Sequence, residues 1–276
     1  MIFTSKRRSR SARRQSRAFT PPVAEGCVAP VAPVVAAEPE EAFGASVTAR
    51  WLVLTTDVNP SFARAVLPEG LGIPEQPQIA VWIVEPLSSG SAEVGDPFDR
   101  LFAGLSCSCL RPGDLQASAF TSDILVGSPT TDRGGRDAFG LPAIPHTGLA
   151  LVNGVGGMGL AISPVSGDGR GLVGTVALDG CGSQQTRLTP DWLARQSWRE
   201  RPMRRQGTTA RAAASGTAAD GLVHTRWKLT RLSPIVEGSA VLECAEFGSR
   251  GYDISATVTS LDARYGFARV TILGRD

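Results

Sequence analysis

The sequence predicts a β-rich α+β domain, a large, curved, mostly antiparallel sheet or barrel with a few short helices. Three observations support this fold class. The chain has 276 residues, 42% hydrophobic and 20% charged, which is enough to bury one sizeable core. Its 31 glycines and 19 prolines leave few long segments free of both, which disfavours long helices. Short apolar runs bounded by these residues recur along the chain, as is typical of strands.

The first half of the predicted domain contains four strands and one helix. The helix is expected over residues 60–67, because Asp57 or Asn59 can cap it, Pro60 suits its first turn and Pro68 ends it. The strands are apolar or alternating runs bounded by proline and glycine, at residues 52–56, 79–84, 116–121 and 149–152.

The second half predicts three further strands that complete the sheet or barrel as a meander. They are separated by turns containing glycine or charged residues, and they lie at residues 240–245, 252–258 and 267–273. Helix-compatible stretches are limited to residues 189–200 and 208–220. Trp192, Trp198 and the basic run at residues 199–205 form a basic, aromatic stretch. Together with residues 207–220, which are rich in Ala, Thr and Gly, it is typical of a long surface loop or insertion.

Residues 1–45 differ in composition from the domain, which is expected over residues 46–276. The first 17 residues hold seven basic side chains and no acid, and a Pro-, Ala- and Glu-rich stretch follows. This composition predicts disorder and is typical of an organellar transit peptide. A solvated basic tail, an upstream start codon or a nucleic-acid- or membrane-binding arm are the alternatives. We expect the protein to be located in a plastid, a mitochondrion or the cytoplasm. Secretion is not expected, because no apolar segment follows the charged residues.

The charge distribution does not indicate a nucleic-acid-binding core. The chain carries a net charge of +2, from 28 basic and 26 acidic residues. Seven of the basic residues lie in the first 17 positions, so the remaining 21 face 26 acids and the body is mildly acidic. No apolar run reaches the roughly 18 residues that a membrane-spanning helix needs.

The five cysteines predict neither a disulfide framework nor a metal centre. Their number is odd and no secretory signal precedes the domain, which favours thiols. Cys107 and Cys109 would share one face of a strand, but only two histidines, His146 and His224, are available to complete a metal site. We therefore expect buried thiols, no metal and no cofactor.

A G-x-G-x-x-G pattern at residues 154–159 has the spacing of a dinucleotide fingerprint. It follows an apolar run, and Asp179 lies about 20 residues further on, where such sites place an acid. The helix that would bind the pyrophosphate is not available, because residues 160–171 contain one proline and three glycines. The pattern predicts a β-hairpin or bulge instead.

Residues 135–144 read Gly-Arg-Asp-Ala-Phe-Gly-Leu-Pro-Ala-Ile. The segment resembles the active-site stretch of the acetoacetate decarboxylase family. In that family the pattern is Gly-Arg-Glu, two apolar residues, Gly, an aromatic or apolar residue, Pro and two lysines, one of which forms the Schiff base. Residues 56–71 also resemble the family's early strand, short helix and Leu-Pro turn. The resemblance covers about residues 46–148.

The resemblance implies a curved sheet or barrel whose chemistry is decarboxylation of a β-keto acid through a lysine imine. Ala143 and Ile144 occupy the two lysine positions, so the frame of the site is present without its nucleophile. The resemblance further implies a substrate pocket lined by Phe139, Pro142, Ala143 and Ile144. Lys228 is the only lysine of the body and thus its only candidate amine.

His146, Arg136 and Lys228 are the candidate catalytic residues. His146 follows the family's reactive position closely, and an imidazole suits acid–base catalysis; the alternative is a hydrogen-bonded structural histidine. Arg136 is expected to pair with a carboxylate of the fold or of a substrate. In a strand, His224, Arg226 and Lys228 would share one face, either exposed to solvent or lining a barrel interior.

Two classes of function follow from these residues. The first is an enzyme of the same fold, such as a lyase, hydratase or cyclase, acting on a small keto-acid or polyketide-like molecule without a Schiff-base lysine. The second is a non-catalytic small-molecule-binding protein, or pseudoenzyme. Convergent ionisable groups would favour the enzyme, and an apolar pocket would favour the binder. In both cases the expected partner is a small molecule and not nucleic acid, and a homo-oligomer is left open.

Overall fold

The computed structural model describes residues 46–87, 101–127, 143–146, 148–154, 157–165, 170–183, 185–195, 197–200, 222–248, 250–254 and 261–275. The predictions for residues 1–45 and 208–220 lie outside these ranges. Within the described ranges the chain is mostly strand, with 13 strands and two short helices. In chain order the elements are β1 Ser46–Asp57, α1 Pro60–Val66, β2 Gln78–Pro86, β3 Phe102–Cys109, β4 Ser118–Val126, β5 Ala143–Pro145, β6 Leu149–Gly154, β7 Gly157–Ile162, β8 Leu172–Cys181, α2 Asp191–Arg195, β9 Ser197–Glu200, β10 Leu222–Arg231, β11 Val236–Phe247, β12 Tyr252–Asp253 and β13 Leu261–Arg275.

Seven strands form a closed ring. They follow the order β1-β2-β3-β4-β9-β10-β13, and β13 pairs back to β1. Every pair in the ring is antiparallel except β4–β9, which is parallel. Strands β11, β8, β7 and β6 continue from β13 as an antiparallel extension, called here the arm. The predicted curved, mostly antiparallel sheet is confirmed.

The ring strands β1 to β4 are buried on both faces, which produces two hydrophobic clusters. The barrel core lies inside the ring and includes Trp51, Trp82 and Ile124. The arm core lies between the outside of the ring and the arm, and includes Leu52 and Leu125 together with residues of β7, β8 and β11. The described part of the chain thus has one continuous sheet that separates two environments.

Local sequence signals account for α1 and for most of the first strands. Asn59 is the N-cap, and its Oδ1 accepts a hydrogen bond from the Phe62 N–H at 2.7 Å. The helix expected at 60–67 and the strands expected at 52–56, 79–84 and 149–152 are confirmed. The strand expected at 116–121 starts two residues later and continues to Val126, because β4 pairs along the whole of β3.

The G-x-G-x-x-G segment contributes to a β-hairpin, as predicted. Strands β6 and β7 are antiparallel, and Gly154 pairs with Gly157. A Cβ atom on Gly157 would collide with the carbonyl oxygen of Val176 on β8. Glycine at position 157 therefore allows β7 to pair closely with β8, and no nucleotide is needed to explain it.

The helix-compatible stretch at residues 189–200 is helical only in part. Helix α2 spans Asp191–Arg195, and the following strand β9 pairs with β4 and β10 to complete the ring. Tertiary pairing outweighs local helix propensity there. The strands expected at 240–245 and 267–273 lie within β11 and β13. Of the strand expected at 252–258, the structure describes residues 252–254, where β12 spans Tyr252–Asp253.

The prediction that the cysteines are buried thiols is confirmed for two of them and wrong for a third. Cys107 and Cys109 are buried free thiols on β3, and burial raises the pKa of Cys107 to about 12 and that of Cys109 to about 11. Both are therefore neutral and unreactive at physiological pH. Cys181 is disulfide-bonded, which corrects the expectation that all five cysteines are thiols, since an odd number still permits a single bridge.

The described residues contain neither a cluster of metal ligands nor a membrane-spanning helix. Among the described residues, no group of three or more His, Cys, Asp or Glu side chains is arranged to hold a metal ion. In the same part of the chain, no helix has the length and apolar character required to cross a membrane.

Candidate functional site

Strand β5 lies in the segment that resembles the family's active site. It spans Ala143–Pro145 and pairs in parallel with the end of β4, where Ala143 is beside Ile124 and Ile144 is beside Leu125. Paired neighbours in register share a face of the sheet, and successive residues of a strand alternate between faces. The two positions that hold lysine in the family therefore belong to different faces.

The barrel side of β5 contains position 143. Its neighbour Ile124 is 4% exposed and belongs to the barrel core. The arm side contains Ile144, which packs with Leu125 against the arm core. Position 143 and Ile144 thus belong to opposite faces of the sheet.

The barrel side is aromatic and bears hydroxyl groups. Gly104, which pairs with Ile124, lies under the indole of Trp82, and a Cβ atom on Gly104 would overlap that ring. Trp82 Nε1 donates to Ser106 Oγ at 3.0 Å, and Ser106 Oγ is 2.9 Å from Thr121 Oγ1. Indoles and aliphatic hydroxyls do not titrate near neutral pH, so these groups can bind a polar atom but do not supply a general base.

Helix α2 closes the ring at the end away from β5. Trp192 Nε1 donates to Gln78 Oε1 at 2.8 Å, and Gln78 Nε2 donates to Asp57 Oδ1 at 2.8 Å. The backbone N–H of Gln78 also donates to Ser108 Oγ at 2.8 Å. This network joins α2 to the ends of β1, β2 and β3, while β5 lies beside the last residues of β4 toward the other end.

His146 continues β5 on the arm side. Its backbone N–H donates to the Val126 carbonyl oxygen at 2.7 Å, and the residue is only 8% exposed. The imidazole hydrogen-bonds to the backbone of Ser163, whereas Nε2 has no hydrogen-bond partner among the residues that the structure describes. Burial lowers the pKa of His146, and the bond to Ser163 opposes this only in part. A neutral imidazole that donates through its other nitrogen has a lone pair on Nε2.

The strand register places His146 in line with two charged residues. Arg50 on β1 pairs with Glu85 on β2, and the β2–β3 register continued by one residue brings Leu101 beside Glu85. The Gly127 N–H donates to the Leu101 carbonyl oxygen at 2.8 Å, and the β4–β5 register continued by one residue brings Gly127 beside His146. We call this row across the arm side of the sheet the arginine–histidine row.

Arg50 and Glu85 form an ion pair at one end of this row. Arg50 Nε donates to the Glu85 carboxylate, and the two side chains are 17% and 38% exposed. Arg50 Nη1 lies 3.5 Å from Asn153 Oδ1 at the tip of β6, the outer limit of a hydrogen bond. The arm side of the sheet therefore has an ion pair in line with His146.

Sequence reasoning missed Arg50 and Glu85. The two residues are 35 positions apart, and no local motif joins them. The signal that was available is a charged residue next to a mostly apolar strand, Arg50 before residues 51–54 and Glu85 after residues 79–84. That signal does not give the strand register, and only the register aligns the two residues with His146.

The remaining predicted site residues are dispersed or lie outside the described part of the chain. Arg136, Phe139 and Pro142 lie outside it. Lys228 is exposed on β10, and its neighbour Leu229 packs against the barrel core. Lys228 is therefore on the outer face of the ring, and the proposal that it lines the barrel interior is wrong. The structure brings Ile144 and His146 together and leaves Lys228 apart from them.

Solved structures of similar shape identify the fold. MppR, an enduracididine biosynthesis enzyme complexed with pyruvate, matches with a TM-score of 0.56 at 18% identity, over 84% of this chain and 88% of that one. The acetoacetate decarboxylase of Legionella pneumophila matches with a TM-score of 0.54 at 13% identity, over 84% and 88% of the two chains. This chain has the acetoacetate decarboxylase-like fold.

A third structure with the acetoacetate decarboxylase-like fold comes from Sphingomonas wittichii RW1. This acetoacetate decarboxylase-like enzyme matches with a TM-score of 0.54 at 14% identity, over 82% of this chain and 89% of that one. No family model matches the sequence, and no curated protein matches it. At these identities the likeness establishes the acetoacetate decarboxylase-like fold and leaves the chemistry to the residues of the site.

The environment of His146 leads to a prediction about pH. Its pKa is lowered from 6.5 in the folded protein, so the unfolded chain binds the proton first as the pH falls. His146 should therefore reduce stability as the pH drops below about 6.5 and through its folded pKa. Urea unfolding at pH 8.0 and pH 5.5 should show a smaller pH dependence for His146→Gln than for the wild type. Equal pH dependence in the two proteins would contradict this assignment.

Proposed function

We propose that this protein binds a small keto-acid or polyketide-like carbonyl compound on the barrel side of β5 and does not decarboxylate it through an imine. The acetoacetate decarboxylase-like fold supports a small-molecule site at this place. MppR has been solved with pyruvate and with the condensation product of pyruvate and imidazole 4-carboxaldehyde. Both of those ligands are small carbonyl-derived molecules.

The observation that carries this proposal is the register of β5. It places position 143, where the family has a lysine, beside Ile124 and the barrel core. Alanine supplies no nucleophile there, and the polar groups nearby are the hydroxyls of Ser106 and Thr121 and the indole of Trp82. Such a site can bind a carbonyl compound through apolar contacts and a few hydrogen bonds. It favours a non-catalytic binder, or pseudoenzyme, at the family's position.

A second candidate function is acid–base catalysis on the arm side, as in a lyase, hydratase or cyclase. The buried Nε2 of His146, which has no hydrogen-bond partner among the described residues, favours it. A neutral imidazole can take a proton from a carbon next to a carbonyl group. In a dehydration it then returns that proton to the hydroxyl group that leaves as water. This chemistry needs neither a lysine nor a metal.

Ligand binding tests the first candidate. Calorimetric titration with acetylacetone and with pyruvate is expected to show binding of at least one of them by the wild type. Ala143→Leu should weaken that binding about tenfold or more, because a larger side chain next to Ile124 fills the barrel side. Ile144→Leu, an isomeric change on the arm side, is the matched control. Equal loss in both variants, or no binding by the wild type, would refute the proposed site.

Proton exchange distinguishes the acid–base enzyme from the non-catalytic binder. The α-protons of pyruvate or acetylacetone are followed by NMR in D₂O with and without the protein. An acid–base enzyme accelerates the exchange above the buffer rate, and His146→Gln loses most of that acceleration. A protein that binds the compound without accelerating the exchange is the non-catalytic binder.

A further inference from the structure

The guanidinium of Arg50 has hydrogen-bonding capacity that the described residues do not use. Its Nε donates to Glu85, and Nη1 reaches Asn153 only at 3.5 Å. The Arg50 side chain is nevertheless 17% exposed. A partly buried guanidinium with free N–H groups is suited to bind a carboxylate through two parallel hydrogen bonds.

His146, at the other end of the row, offers a hydrogen-bond acceptor, whereas Arg50 offers donors. Its Nε2 is buried and has no partner among the described residues, and a buried polar atom without a partner costs free energy. Because a neutral imidazole accepts a hydrogen bond at this atom, a bound molecule would satisfy it with a hydroxyl group rather than with a carbonyl oxygen.

The residues between the two ends are apolar or lack a side chain. Leu101 packs against the arm core, and Gly127 has no side chain; a Cβ atom there would lie 3.2 Å from the Leu101 carbonyl oxygen. Three strand spacings separate Glu85 from His146, about 14 Å across the sheet. A molecule that joins both ends therefore needs an apolar segment of several carbons between its two polar groups.

We propose that the arginine–histidine row is a binding site for a hydroxy acid whose carboxylate pairs with Arg50 and whose hydroxyl group donates to His146 Nε2. This site lies on the arm side of the sheet, so it is independent of carbonyl binding on the barrel side. Glu85 holds the guanidinium in place when the site is empty, and it competes with the carboxylate of the ligand.

Calorimetric titration with 6-hydroxyhexanoate tests the proposal, with hexanoate and 1,6-hexanediol as probes that each lack one polar group. The wild type is expected to bind 6-hydroxyhexanoate at least about tenfold more tightly than either probe, since one good hydrogen bond is worth about that factor. Arg50→Gln should lose about tenfold or more in affinity, and Arg50→Lys should recover part of it. Arg64→Gln, which removes the same charge from the exposed face of α1, should bind like the wild type.

Glu85→Gln keeps the proposal testable if Arg50→Gln fails to fold. It removes the competing negative charge and retains Arg50, so it should tighten 6-hydroxyhexanoate binding severalfold. The ¹⁵N shift of His146 Nε2 should also move on adding 6-hydroxyhexanoate and not on adding hexanoate. The proposal is overturned by a wild type that does not bind at millimolar concentration, by weaker binding in Glu85→Gln, or by equal binding of hexanoate.

Discussion

Gly104→Ala is expected to lower the free energy of unfolding by about 3 kcal/mol, the upper range for overpacking a filled core. The added Cβ atom would lie 2.6 Å from Cη2 of Trp82 and closer still to two other ring carbons. The indole cannot move aside easily, because its Nε1 is bonded to Ser106 at 3.0 Å and the residue is only 4% exposed. The ring centroid of Trp51 lies 6.3 Å away as well.

Urea unfolding followed by tryptophan fluorescence measures this effect, with Gly159→Ala as the matched control. A Cβ atom on Gly159 would meet only the Val152 carbonyl oxygen, at 3.9 Å. The control should change stability by less than about 1 kcal/mol, the usual Gly-to-Ala range. Similar unfolding midpoints for the two variants would mean that Trp82 does not pack on Gly104 as described.

Ala143→Lys is expected to convert the protein into one that forms an imine. The register puts this position beside the barrel core, where burial lowers the pKa of a lysine and leaves its amine neutral and nucleophilic. Treatment with acetylacetone and borohydride should then give a covalent adduct on residue 143, detected by mass spectrometry. The wild type should give none.

Ile144→Lys is the control for this conversion. It introduces the same amine one residue further on, on the arm side of β5, where Ile144 packs against the arm core. It should give little or no adduct, because the proposed carbonyl site is on the barrel side. An adduct in the Ile144→Lys variant, with none in the Ala143→Lys variant, would show that the two sides have been assigned the wrong way round. Circular dichroism of both variants establishes that each is folded.

The elements that could be predicted from the sequence are those set by local chemistry. The cap at Asn59 and the proline at its first turn define α1, and glycines at the ends of short apolar runs define the β6–β7 hairpin. The resemblance in residues 135–144 also led to the correct fold. In each case the deciding residues are within a few positions of one another.

The elements that could not be predicted depend on tertiary pairing. Strand β3 is buried at all eight positions, so it lacks the alternation that marks a half-exposed strand. Strand β9 lies in a stretch compatible with a helix and is held in the ring by pairs with β4 and β10.

The candidate site was predicted only in part for the same reason. His146 was selected from its distance to the family's reactive position, but its separation from position 143 by the sheet depends on the β4–β5 register. Arg50 and Glu85 join the row only through the pairing of β1 with β2. A strand register between distant segments is not encoded in any local spacing.

Borohydride trapping of the wild-type protein tests the central claim most directly. The pure protein is incubated with acetoacetate or acetylacetone, reduced, and analysed by mass spectrometry. No adduct is expected, because an imine needs a primary amine, Ala143 and Ile144 provide none, and arginine stays protonated. Lys228, the only lysine of the body, lies exposed on the outer face of the ring. A stoichiometric adduct on Lys228 would contradict the account and restore imine chemistry with a relocated nucleophile.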